Sequence, residues 1–359
     1  MTNRKDNENK DNLLQMAFDC IWYKIFPEPR IGTISQEELD EVFPTLPERI
    51  DYELPKKINK EGIYIPIGKT FRGKEITLDL KSNPHTVITG VTGAGKSVCT
   101  KEIITTLMKN YSSKDIEFYF IDFKIVELSL FKRCTGYVKA YVTEIEEAKE
   151  LLADLMEECK MRYRLFDELE VTNVWDYNKL VPKEKQLKRQ IIVIEEFVEF
   201  TQDRKKIAMA LLRRFSSLSR ASGQYLIVTG QRFDNTVIDL VLRNNLSNRI
   251  VFQMSDEANS KLLLGVSGAE KINVKGRCYV KVNADLKECQ SYYISDKQVK
   301  EYIKSYIKPK NENKPKNENK PTNEQTINDD DKTSKNGHER ARTISDDNNI
   351  IDLSFIDNL

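Results

Sequence analysis

Short runs of apolar residues alternate with longer amphipathic stretches between Ile50 and Ile307. The short runs predict strands, and the stretches with apolar residues every three or four positions predict helices. Continuous apolar runs are typical of strands that are covered on both faces of a largely parallel sheet. The predicted strands are residues 85–89, 116–122, 190–194, 225–229 and 249–253. The alternation predicts an α/β fold with a mainly parallel central sheet.

Helical spacing is clearest in residues 144–169, where one apolar stripe predicts a long helix packed on the core. Residues 98–108 predict a second helix in this region. Two further helices are predicted near the start of the chain, at 13–26 and 35–42. The first stops at prolines, and the second begins with a Ser-Gln-Glu-Glu capping pattern. Residues 1–50 are therefore predicted to be an N-terminal helical appendage to a larger α/β domain at 51–305.

The final part of the chain, residues 306–359, is predicted to be a disordered tail. From 308 to 343 its only apolar residues are Ile327 and Ala341, and a Lys-Pro-Lys-Asn-Glu-Asn hexad occurs twice. Such a segment buries too little apolar surface to offset its ordering entropy. In residues 350–359 apolar and acidic side chains are mixed, which suggests a docking peptide for a protein partner, although an inert end remains an alternative.

Composition narrows the class of protein. The chain has 57 Lys+Arg and 56 Asp+Glu in 359 residues, so it has no excess of basic residues that would indicate nucleic-acid binding. A ring or a cleft can nevertheless segregate positive charge on one surface. No apolar run is long enough to cross a bilayer, and the N-terminus lacks a signal-peptide pattern, so a cytoplasmic protein without a membrane span is expected. Six cysteines without CxxC spacing predict reduced, packed thiols.

The strongest motif is Gly-Val-Thr-Gly-Ala-Gly-Lys-Ser at residues 90–97, a GxxxxGK[ST] sequence between a predicted strand and a predicted helix. Its glycines allow backbone N–H groups to surround phosphate oxygens, and the helix N-terminus favours an anion. Lys96 would bridge the β- and γ-phosphates of ATP, and the Ser97 hydroxyl would coordinate Mg²⁺. The predicted nucleotide-binding residues are Gly90, Val91, Thr92, Gly93, Ala94, Gly95, Lys96, Ser97 and Val98.

Two carboxylates follow the apolar run at 191–194. Glu195 is predicted to hold Mg²⁺ through its bound water, and Glu196 to polarise the attacking water. The alternative is a strand that merely ends in acidic loop residues, and Glu199 is a weaker candidate for either role. A third strand ends before Gln231, whose amide is predicted to touch the γ-phosphate unless it makes an ordinary loop hydrogen bond.

Several segments together carry a family resemblance. They are the glycine loop at 90–97, Ile-Asp-Phe-Lys at 121–124, Val-Glu-Leu-Ser at 126–129, Met-Arg-Tyr at 161–163, the acidic strand at 191–196, Ser-Arg-Ala-Ser-Gly at 219–223, Gly-Gln-Arg at 230–232, Asn-Arg-Ile at 248–250 and Gly-Ala-Glu-Lys at 268–271. In this order the chain, over roughly 60–290, is similar to the FtsK/SpoIIIE family of DNA-translocating ATPases. The combination is more specific than any single motif.

The resemblance implies a RecA-like P-loop motor that assembles as a ring, usually hexameric, around double-stranded DNA and pumps it without reading sequence. Two departures affect the site. Glu195 stands where the family pattern has Asp, and Phe123, Gly230 and Phe233 replace Pro, Thr and Pro in the family segments. Membrane-spanning segments and a C-terminal winged-helix reader are not expected here, so the layout resembles relatives carried by plasmids, phages and integrative elements.

A ring also implies an arginine that reaches a neighbour's γ-phosphate. Arg220 is the first candidate and Arg249 the second, with a plain salt bridge as the alternative for both. Basic residues near 213–214 and 271–277 would contact DNA phosphates if they faced a pore, and do nothing specific if they faced solvent.

These patterns support an ATP-driven DNA translocase that serves transfer or maintenance of a mobile element. One alternative is an ATP-regulated oligomeric adaptor that recruits DNA-processing partners with little turnover, as the Glu195 departure suggests. Another is a motor for protein substrates. Such relatives generally carry several motor modules, and this chain has one.

Overall fold

The structure, a computed structural model, describes residues 46–53, 61–203, 206–234 and 237–307. The predicted helices at 13–26 and 35–42 and the predicted tail from 308 lie outside these residues. Among the described residues, no helix combines the length and the apolar character that crossing a membrane requires.

Eleven strands form one sheet within the described residues, in the order β3-β2-β11-β10-β9-β4-β8-β7-β5-β6, with β1 beside β11. The strands are β1 (Ile50–Asp51), β2 (Tyr64–Lys69), β3 (Glu75–Asp79), β4 (Thr86–Thr89), β5 (Ile116–Asp122), β6 (Val138–Val142), β7 (Arg189–Glu195), β8 (Gln224–Gly230), β9 (Asn248–Val251), β10 (Arg277–Val282) and β11 (Asp285–Tyr293).

The six strands from β9 to β6 in this order are all parallel. β8 lies between β4 and β7, so the strand before the glycine loop and the strand that ends in Glu195 are separated by one neighbour. All five predicted strands are present, and the predicted α/β class with a mainly parallel RecA-like sheet is confirmed.

The sequence pattern missed the antiparallel side of the sheet, where β10, β11, β2 and β3 pair in succession. β3 alternates exposed and buried positions and buries only Ile76 and Leu78. The buried run of β2 includes Pro66 and Gly68, and that of β11 includes Gln290. These strands therefore lack the continuous apolar runs on which the strand prediction depended.

Seven helices cover the sheet in the described part of the chain. They are α1 (Lys96–Asn110), α2 (Ile145–Glu168), α3 (Val174–Leu180), α4 (Ile207–Ser222), α5 (Leu240–Asn245), α6 (Glu257–Leu264) and α7 (Asp296–Ile303). The two predicted helices at 98–108 and 144–169 correspond to α1 and α2.

The helices divide between the two faces of the sheet. α1 and α7 bury their apolar side chains in one core, and α2, α4, α5 and α6 bury theirs in a second core. Each central strand sends alternate side chains to the two cores: Phe118 and Phe120 lie in the first, and Tyr119 and Ile121 in the second. The two-sided burial explains why these strands are apolar throughout.

The parallel strands give the sheet two distinct edges. At the carboxyl edge, β4, β5, β7 and β8 end at Thr89, Asp122, Glu195 and Gly230. At the amino edge, the last described residue, Ile307, bridges Cys134 just before β6. The glycine loop and Ile307 therefore lie at opposite ends of the parallel strands.

Five cysteines are buried free thiols: Cys99, Cys134, Cys159, Cys278 and Cys289. This agrees with the prediction of reduced, packed thiols for these residues, while Cys20 lies outside the described part of the chain.

Candidate active site

The glycine loop connects β4 to α1 at the carboxyl edge. Gly90, Gly93 and Gly95 have φ values of 149°, 82° and 129°, which favour glycine. Space also requires glycine at two of these positions. A Cβ on Gly90 would lie 2.7 Å from Cβ of Phe252, and one on Gly95 would lie 3.0 Å from Cε1 of the same residue. Phe252 is fully buried and forms the floor beneath the loop.

Backbone hydrogen bonds fasten the loop on two sides. The Val91 N–H donates to the Gln253 carbonyl at 2.8 Å, just beyond β9. The Gly276 N–H donates to the Ala94 carbonyl at 2.9 Å, just before β10. Main-chain contacts from two distant segments therefore hold the shape of the loop.

Lys96 is the first residue of α1 and is nearly buried. Its ammonium donates to the carbonyls of Gly90 at 2.7 Å and Val91 at 3.1 Å, which holds it inside the loop. Burial lowers the pKa of Lys96, and the nearby charges of Glu196 and Glu195 oppose this effect. The lysine of the motif thus lies beside the two predicted carboxylates.

Glu195 ends β7 and is only 5% exposed. Its Oε2 atom is buried and has no hydrogen-bond partner in the structure. Burial raises the pKa of Glu195 to about 7, and the negative charges of Glu127, Asp122 and Glu196 add to this effect. A buried carboxylate with an unsatisfied oxygen suits a divalent cation, because a cation supplies the compensating charge.

Magnesium is implied by the motif, and the donor set fits it. Ser97 supplies a hydroxyl at the start of α1, and Glu195 supplies the unsatisfied oxygen. No group of three or more His, Cys, Asp or Glu side chains able to hold a metal was found among the described residues. Mg²⁺ usually takes one or two protein ligands and completes its octahedron with water and phosphate oxygens.

Glu196 follows in a left-handed backbone conformation, with φ 58° and ψ 65°. Non-glycine residues rarely adopt it, and such strain is concentrated at functional sites. The Glu196 side chain is nearly buried and forms an ion pair with the ammonium of Lys124. Lys124 belongs to one of the family segments, but no local pattern gives it a role. Its contact with Glu196 is visible only once β5 and β7 are known to be neighbours.

Asp122, at the end of β5, fixes the turn that follows it. It is buried and accepts hydrogen bonds from the N–H groups of Ile125 at 3.0 Å and Leu128 at 3.3 Å. It also accepts one from the Tyr141 hydroxyl at 2.9 Å. Asp122 therefore shapes the loop that carries Lys124.

Gln231 lies just beyond β8 and contacts the glycine loop. The Thr92 hydroxyl donates to Oε1 of Gln231 at 3.1 Å. Gln231, Lys96, Glu195 and Glu196 are thus gathered at the carboxyl edge, as their positions after parallel strands predicted. Their chemical roles are not tested by this geometry and stay predictions.

A cleft of about 330 Å³ adjoins the glycine loop at Gly95 and Val98. Its far wall is formed by Gly276 and Tyr293, and the Arg49 guanidinium lies 3.9 Å from the centre of the Tyr293 ring. The sequence gives no sign of this cleft. Its walls come from four distant segments that no local pattern connects.

Comparison with known proteins identifies the relatives of this fold. The model of the FtsK/SpoIIIE family matches residues 54–265. The chain belongs to the FtsK/SpoIIIE family. It is 28% identical over 298 residues to "DNA translocase FtsK" from Staphylococcus aureus, which covers 80% of this chain and 36% of that protein. A protein of the same name from Borreliella burgdorferi is 35% identical over 214 residues, or 58% of this chain and 27% of that protein. The chain thus spans about a third of these curated relatives.

Solved structures agree with the family assignment. The TcpA conjugation coupling protein of pCW3, in a monomer form with ATPγS, has a TM-score of 0.65 and 30% identity, with 73% of this chain and 75% of that chain covered. EssC ATPases 2 and 3 from Geobacillus thermodenitrificans have a TM-score of 0.64 at 22% identity, with 73% and 51% covered, which shows the shared fold alone. The RecA-like P-loop architecture is therefore common to this chain and these proteins.

The structure accounts for two departures from the FtsK/SpoIIIE pattern. Phe233 stacks on Phe197 at a centroid distance of 5.3 Å, and a Cβ on Gly230 would lie only 3.0 Å from the Phe233 ring. Gly230 and Phe233 are therefore complementary changes. Phe123 packs edge-on against Phe200 at 5.2 Å. Packing of aromatic rings fixes both loops where the family pattern has proline.

The two arginines predicted to act in an FtsK/SpoIIIE ring lie away from the site of their own chain. Arg220 is exposed at the amino edge and donates to the Ser82 carbonyl at 3.0 Å. Arg249 donates to three carbonyls, those of Leu246, Leu263 and Arg243, at 3.2, 2.6 and 2.8 Å. Arg249 is therefore engaged in holding its own chain, whereas Arg220 presents a guanidinium at the surface.

Three of the other predicted basic residues make contacts within their own chain. Arg213 on α4 pairs with Asp239. Arg277 donates to the Leu46 and Pro47 carbonyls, and Lys275 lines the cleft beside the glycine loop.

Proposed function

We propose that this chain is an ATP-hydrolysing motor that moves DNA. The observation that carries the proposal is the gathering of Lys96, Glu195, Glu196 and Gln231 around a preformed glycine loop in a member of the FtsK/SpoIIIE family. Each of these groups has a defined task in phosphoryl transfer to water.

The glycine loop would bind the phosphates of ATP through the N–H groups of residues 93–98. Lys96 would exchange its contacts with the Gly90 and Val91 carbonyls for β- and γ-phosphate oxygens. Ser97 and Glu195 would hold Mg²⁺, which neutralises phosphate charge when it is bound. The cleft beside Val98 would take the base and ribose, with Tyr293 and the Arg49 side chain as a stacking wall.

Glu196 would accept a proton from the attacking water. The oxygen of that water would bond to the γ-phosphorus while the bond between the γ-phosphorus and the leaving ADP oxygen breaks. Gln231 is hydrogen-bonded to Thr92 of the glycine loop, and Phe233 stacks on Phe197, next to Glu196. This chain of contacts would report loss of the γ-phosphate to the end of β8.

The relatives support DNA as the substrate: two curated relatives are named DNA translocases, and TcpA is named a conjugation coupling protein. We propose sequence-nonspecific binding of double-stranded DNA by a homo-oligomer, a hexameric ring, in which Arg220 approaches the site of a neighbour.

Transfer or maintenance of a mobile element is the proposed process, and residues 350–359 are the proposed docking segment for a protein partner. Because ATP and intracellular DNA are the substrates, the cytoplasm is the proposed location.

One observation favours a second candidate function, an ATP-regulated adaptor. Glu195 has a side chain one methylene longer than the Asp of the family pattern, which changes where its carboxylate lies as a metal ligand. ATP binding would then drive assembly and recruit DNA-processing partners with little turnover.

The test is ATP turnover by the purified full chain with and without DNA. Duplex DNA is expected to raise turnover, Lys96→Ala to abolish it, and Glu196→Gln to lower it by about 100-fold or more while ATP binding persists. Lys139→Ala, which changes an exposed lysine of β6, is the matched control and should behave as the wild type.

Three outcomes separate the candidates. Turnover that DNA never stimulates contradicts a DNA motor. ATP binding with wild-type turnover no faster than that of Glu196→Gln supports the adaptor. Stimulation by peptides, and not by single- or double-stranded DNA, indicates a protein substrate.

A further inference from the structure

Lys124 and Glu196 meet because their strands are neighbours. β5 and β7 pair in parallel, with Asp122 opposite Glu195 at their carboxyl ends. Just beyond that pair, the Lys124 ammonium contacts Oε2 of Glu196. The partners differ in burial: the Glu196 side chain is 8% exposed and that of Lys124 is 44% exposed. A nearly buried carboxylate is thus compensated by an ammonium that reaches it from the surface.

Both partners are placed by fixed backbone. Glu196 has its left-handed conformation at the junction of β7 and the short 3₁₀ helix Phe197–Gln202. The turn after Lys124 is closed by the Asp122 carboxylate, which holds the Ile125 N–H at 3.0 Å. Ile125 itself has a φ of 57°. Two strained positions flank one ion pair, which is typical of a geometry maintained for function.

The surrounding charges leave Lys124 as the cation in contact with Glu196. Lys96, the other lysine nearby, donates to the carbonyls of Gly90 and Val91. Glu195 and Glu127 are also close, but both are acidic. Without Lys124, the nearly buried Glu196 carboxylate would lose the cation that contacts it, and Lys96, which is held on two carbonyls, would remain nearby.

We propose that Lys124 is a positioning residue for hydrolysis: its ammonium holds the Glu196 carboxylate in the orientation from which Glu196 takes the proton of the attacking water. This inference rests on the proposed function of the site. Lys124 acts through Glu196 and makes no contribution of its own to nucleotide binding. The effect of changing Lys124 on turnover should therefore depend on whether Glu196 is present.

A double-mutant cycle tests this dependence in the full chain. Lys124→Gln is expected to lower kcat by about 100-fold in the wild-type background, because a base displaced by about 1 Å loses that much rate. In the Glu196→Gln background the same change should alter the single-turnover rate by less than about 2-fold, because the residue through which Lys124 acts is already lost. The dissociation constant of ATP should stay within about 2-fold in all four proteins.

Lys124→Arg is the variant that retains the charge, and it should recover most of the kcat that Lys124→Gln loses. Thermal unfolding of each variant checks that it is folded, and Lys139→Gln serves as the control for loss of a lysine. A wild-type protein without turnover would refute the proposed function itself. Equal losses from Lys124→Gln in both backgrounds, weaker ATP binding, or unchanged kcat would refute the positioning role and leave the proposed function intact.

Discussion

His85 shows how one buried side chain can join three elements. It precedes β4, its Nε2–H donates to the Ser216 carbonyl of α4 at 3.0 Å, and its Nδ1 accepts from the Leu226 N–H of β8 at 3.1 Å. Both ring nitrogens are therefore committed to a neutral tautomer. Burial lowers the pKa of His85 to about 4. The other histidine of the chain, His338, lies outside the described residues.

This pKa predicts a loss of stability in acid. The unfolded chain binds a proton at His85 near pH 6.5 and the folded chain only near pH 4, so His85 favours folding above pH 6.5 and loses this contribution as the pH falls towards 4. The expected loss between pH 7 and 4.5 is about 2–3 kcal/mol in the free energy of unfolding. Urea titrations at the two pH values measure it.

His85→Gln is the comparison for that prediction. The variant should be less stable than the wild type at pH 7, and its deficit should shrink at pH 4.5, because glutamine does not titrate. A deficit that is the same at both pH values would show that His85 does not titrate as stated. The difference between the two proteins cancels the contribution of the many carboxylates.

The sequence predicts where a functional side chain lies when a local motif encodes it. Lys96 and Ser97 were placed by the glycine-loop motif, and Glu195 and Glu196 by their position after an apolar strand. Lys124 could not be paired with Glu196 from sequence because 72 positions separate them. The stacking of Arg49 on Tyr293 was hidden for the same reason, and also because β11 was not predicted.

At the scale of elements, the unit formed by β4, the glycine loop and α1 is supported from behind by β9. Phe252 follows β9 and fills the space beneath Gly90 and Gly95. Strands with two buried faces could be predicted because burial demands apolar residues at every position. The antiparallel strands could not, because their apolar residues are interrupted: β3 alternates between buried and exposed positions, and the buried run of β11 includes Gln290 and Ser291.

This support predicts that alanine at Gly90 is more damaging than alanine at Gly93. Both positions have positive φ values, 149° and 82°. A Cβ on Gly93 meets no atom within 4 Å, so Gly93→Ala should cost only the conformational strain, about 1–2 kcal/mol. A Cβ on Gly90 would lie 2.7 Å from the Phe252 side chain, so Gly90→Ala should cost about 1–3 kcal/mol more and weaken ATP binding.

Chemical denaturation and ATP titration of the two variants compare these costs. Gly93→Ala controls for loss of a glycine in the same loop. If the two variants are equally stable, contact with Phe252 does not set the shape of the loop.

At the scale of the whole molecule, one chain supplies the carboxylates, the lysines and the amide of the proposed site, while Arg220 lies exposed at the opposite edge of the sheet. A neighbouring subunit is the proposed source of an arginine. The family resemblance implied this assembly. Nothing in the hydrophobic pattern of one chain could establish it, because an interface between subunits adds no periodicity to the core.

The assembly is tested by mass photometry of Glu196→Gln with ATP and Mg²⁺. The variant is expected to form a species of six times the 41.7 kDa chain mass, since ATP that is bound and not hydrolysed keeps the subunits closed. Lys96→Ala should stay at the mass of a single chain. A Glu196→Gln protein that binds ATP and remains a single chain would contradict the ring.

The bridge between Ile307 and Cys134 has a mechanical consequence for any such motor. A pulling force that enters through the chain beyond Ile307 reaches the domain beside β6, at the far end of the strands from the glycine loop. Tension there enters at the amino edge of the sheet, whereas the glycine loop lies at the carboxyl edge. A partner bound to the segment beyond Ile307 would therefore leave access to the nucleotide site open.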